Sequence, residues 1–231
     1  MKLCTLCSGL AAITALSLTS FAMAEAPTSV KTEVKAKYKA KNFDHLIGNV
    51  KGLDDELLKM HFKLYQGYVT NVNNASDQIE GLNAAEKNRS LEYAGLKKLF
   101  AWEYNGMTLH EYYFANLGGK DPLNEKDPLF IKIADDFGSY DLWKKDFIAT
   151  GAMRGIGWAI AYIEPKEGRL INTWINEHDL GHLAGGKPIL VMDVFEHAYI
   201  TQFALDRAKY IDVFFNNINW SEVSKRFQDV K

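Results

Sequence analysis

Asp193-Val194-Phe195-Glu196-His197-Ala198-Tyr199 sets a carboxylate and an imidazole four residues apart. The stretch follows an apolar run, Ile189-Leu190-Val191-Met192, which reads as a buried strand, and the residues after it read as a helix over 195–205. Asp193 then ends a strand and His197 falls on the first helical turn, so both reach one point. Aspartate is also a common helix N-cap. Taken alone, the stretch leaves capping and metal ligation equally open for Asp193.

Upstream lie two long helical patterns. The first, Asp54 to Leu82, opens on Asp54, Asp55 and Glu56, acids suited to a helix N-terminus. Leu57, Met60, His61, Leu64, Tyr65, Tyr68, Val72 and Ala75 recur along it at three- and four-residue steps. The second, Ala84 to Leu117, carries Leu91, Ala94, Leu99, Trp102, Leu109, Tyr112 and Tyr113, with a break expected at Asn105-Gly106. A short joint between them predicts an antiparallel hairpin. Gly118-Gly119-Lys120-Asp121-Pro122 then punctuates the chain. Beyond it, 128–137 and 140–150 read as short helices. The aromatic and β-branched runs 157–164 and 170–176 read as strands joined by a tight turn at Pro165 to Arg169. Residues 189–193 make a third strand, and 209–217 and 221–228 are helical again. The expected fold is α+β: a long α-hairpin domain over 43–118, then an α/β domain over 119–231 that holds the metal and contains a three-stranded antiparallel sheet.

The 231-residue chain opens on a positive Lys2, an apolar run from Leu3 to Thr19, and Ala22-Met23-Ala24, a small-x-small cleavage pattern. Residues 1–24 therefore read as a secretory signal peptide, and the protein as exported, periplasmic or secreted. The run is short and broken by Ser and Thr, and no other stretch is apolar enough to span a membrane. Both cysteines, Cys4 and Cys7, fall inside that signal, which leaves the mature chain no disulfide, thiolate ligand or catalytic thiol. Residues 25–42 form a Lys-rich polar lead, expected to be a solvated tether. Overall, 27 basic residues face 29 acidic ones, a balance that gives no support for a nucleic-acid binder.

Six histidines remain to be placed: His45, His61, His110, His178, His182 and His197. His61 and His110 each fall on the apolar stripe of a long helix. One such histidine is ordinarily a satisfied core residue. Two on facing helices, together with Asp193 and His197, form a set of buried ionisable groups that need partners, and one ion would satisfy all four. Imidazole and carboxylate suit iron, manganese or zinc.

At this point the stretch resembles the D-x-W-E-H-A-Y signature of the iron/manganese superoxide dismutases. Lys63…Gln66-Gly67-Tyr68-Val69-Thr70-Asn71 is similar to that family's first-helix motif, and His110-Glu111-Tyr112-Tyr113-Phe114 to its second. Gly155-Ile156-Gly157-Trp158 resembles the G-x-G-W that begins its sheet. Arg207-Ala208-Lys209-Tyr210-Ile211 and Asn219-Trp220 resemble its R-P-x-Y and N-W. The similarity runs from about Phe43 to Phe227, in the family's order. It implies His61, His110, Asp193 and His197 as ligands of one iron or manganese ion, with solvent completing the site. Superoxide is the implied substrate, converted to dioxygen and hydrogen peroxide as the ion cycles between +3 and +2. Tyr68 becomes the cavity phenol, Trp158 the cavity wall, and Glu196 the link to the ligand histidine of a second copy in a homodimer. Lys63 and Arg207 could guide the anion.

The chain also departs from the pattern. In the family the first ligand and the cavity tyrosine stand eight residues apart, in H-x-x-x-H-H-x-x-Y; His61 and Tyr68 are seven apart. Seven residues is about two turns, which keeps both on one face, whereas eight rotates the pair by roughly 80° more unless a π-bulge absorbs a residue. An ungapped alignment puts Met60 at the ligand position, and a thioether is a poor ligand for a hard ion. His61 is therefore preferred. Leu64 and Ile200 stand where the family has a polar pair at the substrate gate, which predicts altered access or proton delivery. Gly106 occupies one place from which a glutamine orients solvent, so that group is expected from Asn176-Glu177-His178: His178 first, Glu177 second. Two other readings stay open, a dismutase-like metal-binding protein with little turnover and a non-haem iron oxygenase.

Overall fold

The computed structural model describes residues 37–230; the predicted signal peptide lies outside them. Helix α1 spans Asp55–Ala84 and opens on Asp55 and Glu56. Its buried stripe includes Leu58, His61, Tyr65, Tyr68, Val72 and Ala75, the three- and four-residue rhythm of the sequence. Helix α2 spans Leu91–Ala115 and pairs with α1. It starts seven residues later than the expected Ala84, at the first residue of its apolar pattern, where the Ser90 hydroxyl caps it by accepting from the Tyr93 backbone N–H (3.1 Å). The break expected at Asn105-Gly106 is absent. Gly106 packs against Tyr68 of α1: a Cβ there would stand 2.7 Å from two of its ring carbons.

The second half follows as α3 (Pro128–Phe137), α4 (Tyr140–Gly151), β1 (Gly157–Ile163), β2 (Leu170–Asn176) and β3 (Lys187–Asp193). Two 3-10 turns, Asp44–Leu46 and Glu196–Ala198, flank the main elements, and α5 (Ile200–Phe203), α6 (Arg207–Asn216) and α7 (Trp220–Asp229) complete the chain. The sheet is antiparallel in the order β2-β1-β3, and the central β1 is buried along its whole length. Its register pairs Trp158 with Ile175 on one side and Asp193 on the other. Gly157 must be glycine: its φ is +141°, and a Cβ would sit 1.9 Å from the Ile175 carbonyl oxygen.

One buried core runs through both halves, from Phe43 and Leu58 to Trp158, Val191 and Phe227. Asn116, fully buried at the end of α2, ties three elements together. Its side chain donates to the Val191 carbonyl (2.6 Å) and accepts from Arg226 Nη1 (2.6 Å), while its own carbonyl accepts from Asn219 N (2.6 Å).

Two expectations need correction. The helix predicted over 195–205 is a 3-10 turn followed by the four-residue α5; Tyr199, with φ −148°, separates them, and Ala204, at φ +50°, ends the second. The described end of the Lys-rich lead is not a free tether but runs along α1. Tyr38 and Asn73 exchange two hydrogen bonds, the Lys41 backbone N–H donates to the Tyr65 hydroxyl, and Lys37 pairs with Glu80. No helix of the described residues is long and apolar enough to cross a membrane.

Candidate metal centre

Four elements converge behind the start of the sheet. α1 contributes His61 and α2 contributes His110, both fully buried; β3 ends on Asp193, and the 3-10 turn carries His197. One ligand atom from each lies within 4.8 Å of every other. His61 Nε2 and His197 Nε2 stand 3.2 and 3.1 Å from Asp193 Oδ2, and His110 Nε2 stands 3.7 Å from the same oxygen. Met60, the alternative to His61, is 44 % exposed, whereas His61 is buried.

Asp193 is not a helix N-cap: the turn that follows begins after Phe195 and has no side-chain cap. Its Oδ1 accepts from the Phe195 backbone N–H (2.8 Å), an Asx-type turn that starts the path to His197. Its Oδ2 faces the three imidazoles. Its main-chain carbonyl accepts from the Tyr210 hydroxyl (2.7 Å), which in turn contacts the Tyr113 hydroxyl at 3.1 Å. Burial alone would push the carboxyl up, but the His197 and His61 rings hold it well below the usual carboxylate range.

The donor set fits a cation. His110 Nδ1 lies 2.6 Å from the Gly106 carbonyl, an acceptor only, so Nδ1 carries the proton and Nε2 a lone pair. That Nε2 is buried without a hydrogen-bond partner and faces the other donors. Burial lowers the pKa of His61 and of His110, keeping both rings neutral, as ligands must be. Three nitrogens and one oxygen turned on a common point, with no sulfur among them, suit iron or manganese.

Beside the cluster, Trp158 extends from the first residues of β1. An indole N–H can only donate, so its bond to His178 Nδ1 (3.0 Å) makes that nitrogen the acceptor and puts the ring proton on Nε2. His178 Nε2 then donates to the Tyr68 hydroxyl (2.8 Å). Burial lowers His178 from its ordinary 6.5 to about 4, so the ring is neutral near pH 7. Burial, reinforced by the Asp193 charge, raises the Tyr68 phenol and keeps it protonated. Glu177 makes no bond to Tyr68 and instead accepts from the indole N–H of Trp102 (3.2 Å), whose ring packs on His178 and Tyr68.

A family model for the iron/manganese superoxide dismutases, C-terminal domain, matches residues 125–226. Superoxide dismutase (Fe) of Aquifex pyrophilus is 36 % identical over 193 residues, covering 80 % of this chain and 89 % of that protein. Superoxide dismutase (Fe) of Pyrobaculum aerophilum is 33 % identical, covering 75 % and 83 %. Superoxide dismutase (Mn) 2 of Haloferax volcanii is 32 % identical, covering 76 % and 87 %.

The chain belongs to the iron/manganese superoxide dismutase family.

Against that family pattern, α1 is an uninterrupted α-helix, so the seven-residue spacing of His61 and Tyr68 brings both to the α2-facing side without a bulge. Leu64 and Ile200, expected to replace a polar pair, are 37 % and 39 % exposed. Glu196 is exposed on its turn and His197 is partly so. Arg207 is spent on structure: it donates to the Met153 and Gly155 carbonyls (2.7 and 2.8 Å) and to the Tyr199 hydroxyl (3.2 Å). His45 lies at the surface.

Sequence reasoning missed two participants. Gly106 was read as a helix break, yet it supplies the carbonyl that sets the His110 tautomer and the space that admits the Tyr68 ring. Glu103, one turn earlier on α2, is a buried carboxyl that accepts from Asn71 Nδ2 (3.0 Å) while its other oxygen is unpartnered; burial raises its pKa. A charged residue on a buried helix face was the available signal.

Proposed function

We propose that this protein is an exported, homodimeric superoxide dismutase using one iron or manganese ion per subunit, held by His61, His110, Asp193 and His197. The observation that carries the reading is the convergence of three imidazoles and one carboxylate, their ligand atoms within 4.8 Å of one another, with His61, His110 and Asp193 buried and His197 partly exposed. An ion bound there would supply the redox chemistry, taking an electron from one superoxide to give dioxygen and returning it to the next, which leaves with two protons as hydrogen peroxide.

The chain's own residues prepare that chemistry. The Gly106 carbonyl and the Phe195 N–H fix the His110 ring and the Asp193 carboxylate before any ion arrives. Trp158 sets the tautomer of His178, and His178 donates to Tyr68. The phenol oxygen therefore acts as acceptor toward the protein, which leaves its own proton for delivery toward the reduced substrate. His178 rather than Glu177 is the residue that acts through Tyr68 and bound solvent. The apolar walls of Trp158 and Phe195 exclude bulk water.

The dimer is supported by the exposure of Glu196 beside His197 and by the neighbouring apolar Ile200, a surface that suits a second copy. Export rests on the leader-like sequence of residues 1–24, and the division at 118/119 on the change from helical hairpin to sheet. A second reading, metal binding with little turnover, is favoured by the apolar replacements Leu64 and Ile200 alone. The test is metal content and superoxide consumption of the purified protein, reconstituted separately with iron and with manganese. Rapid consumption with either ion supports the dismutase. Stoichiometric metal without consumption supports the second reading, and substrate-dependent oxygen uptake would point to an oxygenase.

A further inference from the structure

His182 lies outside the ligand cluster, yet it is bonded at both ring nitrogens. Its Nε2 lies 2.9 Å from the His178 main-chain oxygen, and its Nδ1 lies 2.7 Å from the Tyr162 hydroxyl. A carbonyl accepts only, so Nε2 is the donor, and Nδ1 in the neutral ring accepts from Tyr162. Tyr162 belongs to buried β1, the strand that also carries Trp158. The loop from β2 to β3, which carries both His178 and His182, needs such an anchor. Glu177 sits at φ +50° and Gly181 at φ +111°, and the turn is closed by the Asn176–Leu180 backbone pair. The His178 ring reaches Tyr68 only if this loop holds its place.

We propose that His182 is a positioning residue for the dismutase reaction: braced by Tyr162, it fixes the His178 backbone, and through it the His178–Tyr68 contact beside the ligand cluster. The line runs Tyr162 hydroxyl, His182 ring, His178 carbonyl, His178 ring, Tyr68 hydroxyl. Trp158, the second residue of the strand that carries Tyr162, holds the other side of the His178 ring. Both supports of His178 thus originate on β1, the strand with the least freedom to move. The proposal rests on the dismutase reading above.

The test compares His182→Ala, His182→Gln and Tyr162→Phe with the unaltered full-length protein. Gln keeps an N–H donor for the His178 carbonyl, and Phe removes only the bracing hydroxyl should His182→Ala fold poorly. Nitrogen-15 NMR of the metal-free protein reads the tautomer of the His178 ring, assigned by its loss in His178→Gln. Expected are one protonated and one bare nitrogen in the unaltered protein, and averaged signals in His182→Ala and Tyr162→Phe. In the metal-loaded protein, turnover should drop about 10-fold in His182→Ala, within the range for outer-shell partners, and recover largely in His182→Gln with metal content unchanged. Unchanged His178 signals in both His182→Ala and Tyr162→Phe overturn the proposal whatever the activity does. The NMR arm needs no turnover, so absence of dismutation in the unaltered protein would count against the proposed function and not against this one.

Discussion

Asp193 shows how much one residue can hold. One carboxylate oxygen shapes the turn, the other faces three imidazoles, and the main-chain carbonyl is fixed by Tyr210. Gly106 is the converse case, a residue whose value is the atom it lacks. Gly106→Ala would place a methyl 2.7 Å from the Tyr68 ring, a contact that forces the ring off His178. Ala is the better helix former, so a stability gain is the result expected if the site were indifferent. Overpacking instead predicts a loss of about 1–3 kcal/mol in urea unfolding and a several-fold fall in superoxide consumption. A more stable, equally active variant would contradict the geometry.

At the scale of elements, the structure separates residues that hold the scaffold from residues that do the chemistry. Ser90 caps α2 at the end remote from His110. Ser90→Ala should therefore cost about 1 kcal/mol of stability and leave turnover of the metal-loaded protein unaltered. Asn116 is different, because α2, β3 and α7 meet on it. Asn116→Ala leaves the Val191 carbonyl and part of the Arg226 guanidinium without their partner in the interior. A loss of about 2–4 kcal/mol is expected from unsatisfied buried groups, read as a lower denaturation midpoint. A midpoint within experimental error of the parent would show that water replaces it.

For the molecule as a whole, the buried neutral rings predict the pH dependence of the metal-free protein. His178 binds a proton near 6.5 when unfolded and only near 4 when folded. Between those values the unfolded chain holds the extra proton, so stability falls as pH drops from about 6.5 toward 4, by up to about 1.4 kcal/mol per pH unit for this one group. His61 and His110 are displaced in the same direction. Asp193 works at lower pH, its stabilisation being lost only below the usual carboxylate range. Thermal melts of chelated protein from pH 7.5 to 5 should show a steady fall, shallower in His178→Gln. A flat profile would mean that these rings are hydrated in the apo state.

The apolar rhythm of α1 and the strand run before Asp193 were legible in the sequence, because burial of a helix stripe or a strand leaves a local period. His61 over Met60 was also legible, since seven residues return a regular helix to the same face. What the sequence by itself determined, then, is the set of elements, the residue types able to hold a cation, and the family they belong to. Only the tertiary structure decided how those residues are tuned: that Gly106 is a seat for Tyr68 and not a break, that His178 and not Glu177 turns to the phenol, and that His182 and Trp158 grip His178 from one strand. Those decisions rest on contacts between residues distant along the chain, and on hydrogen-bond direction. Neither leaves a period or a spacing to read.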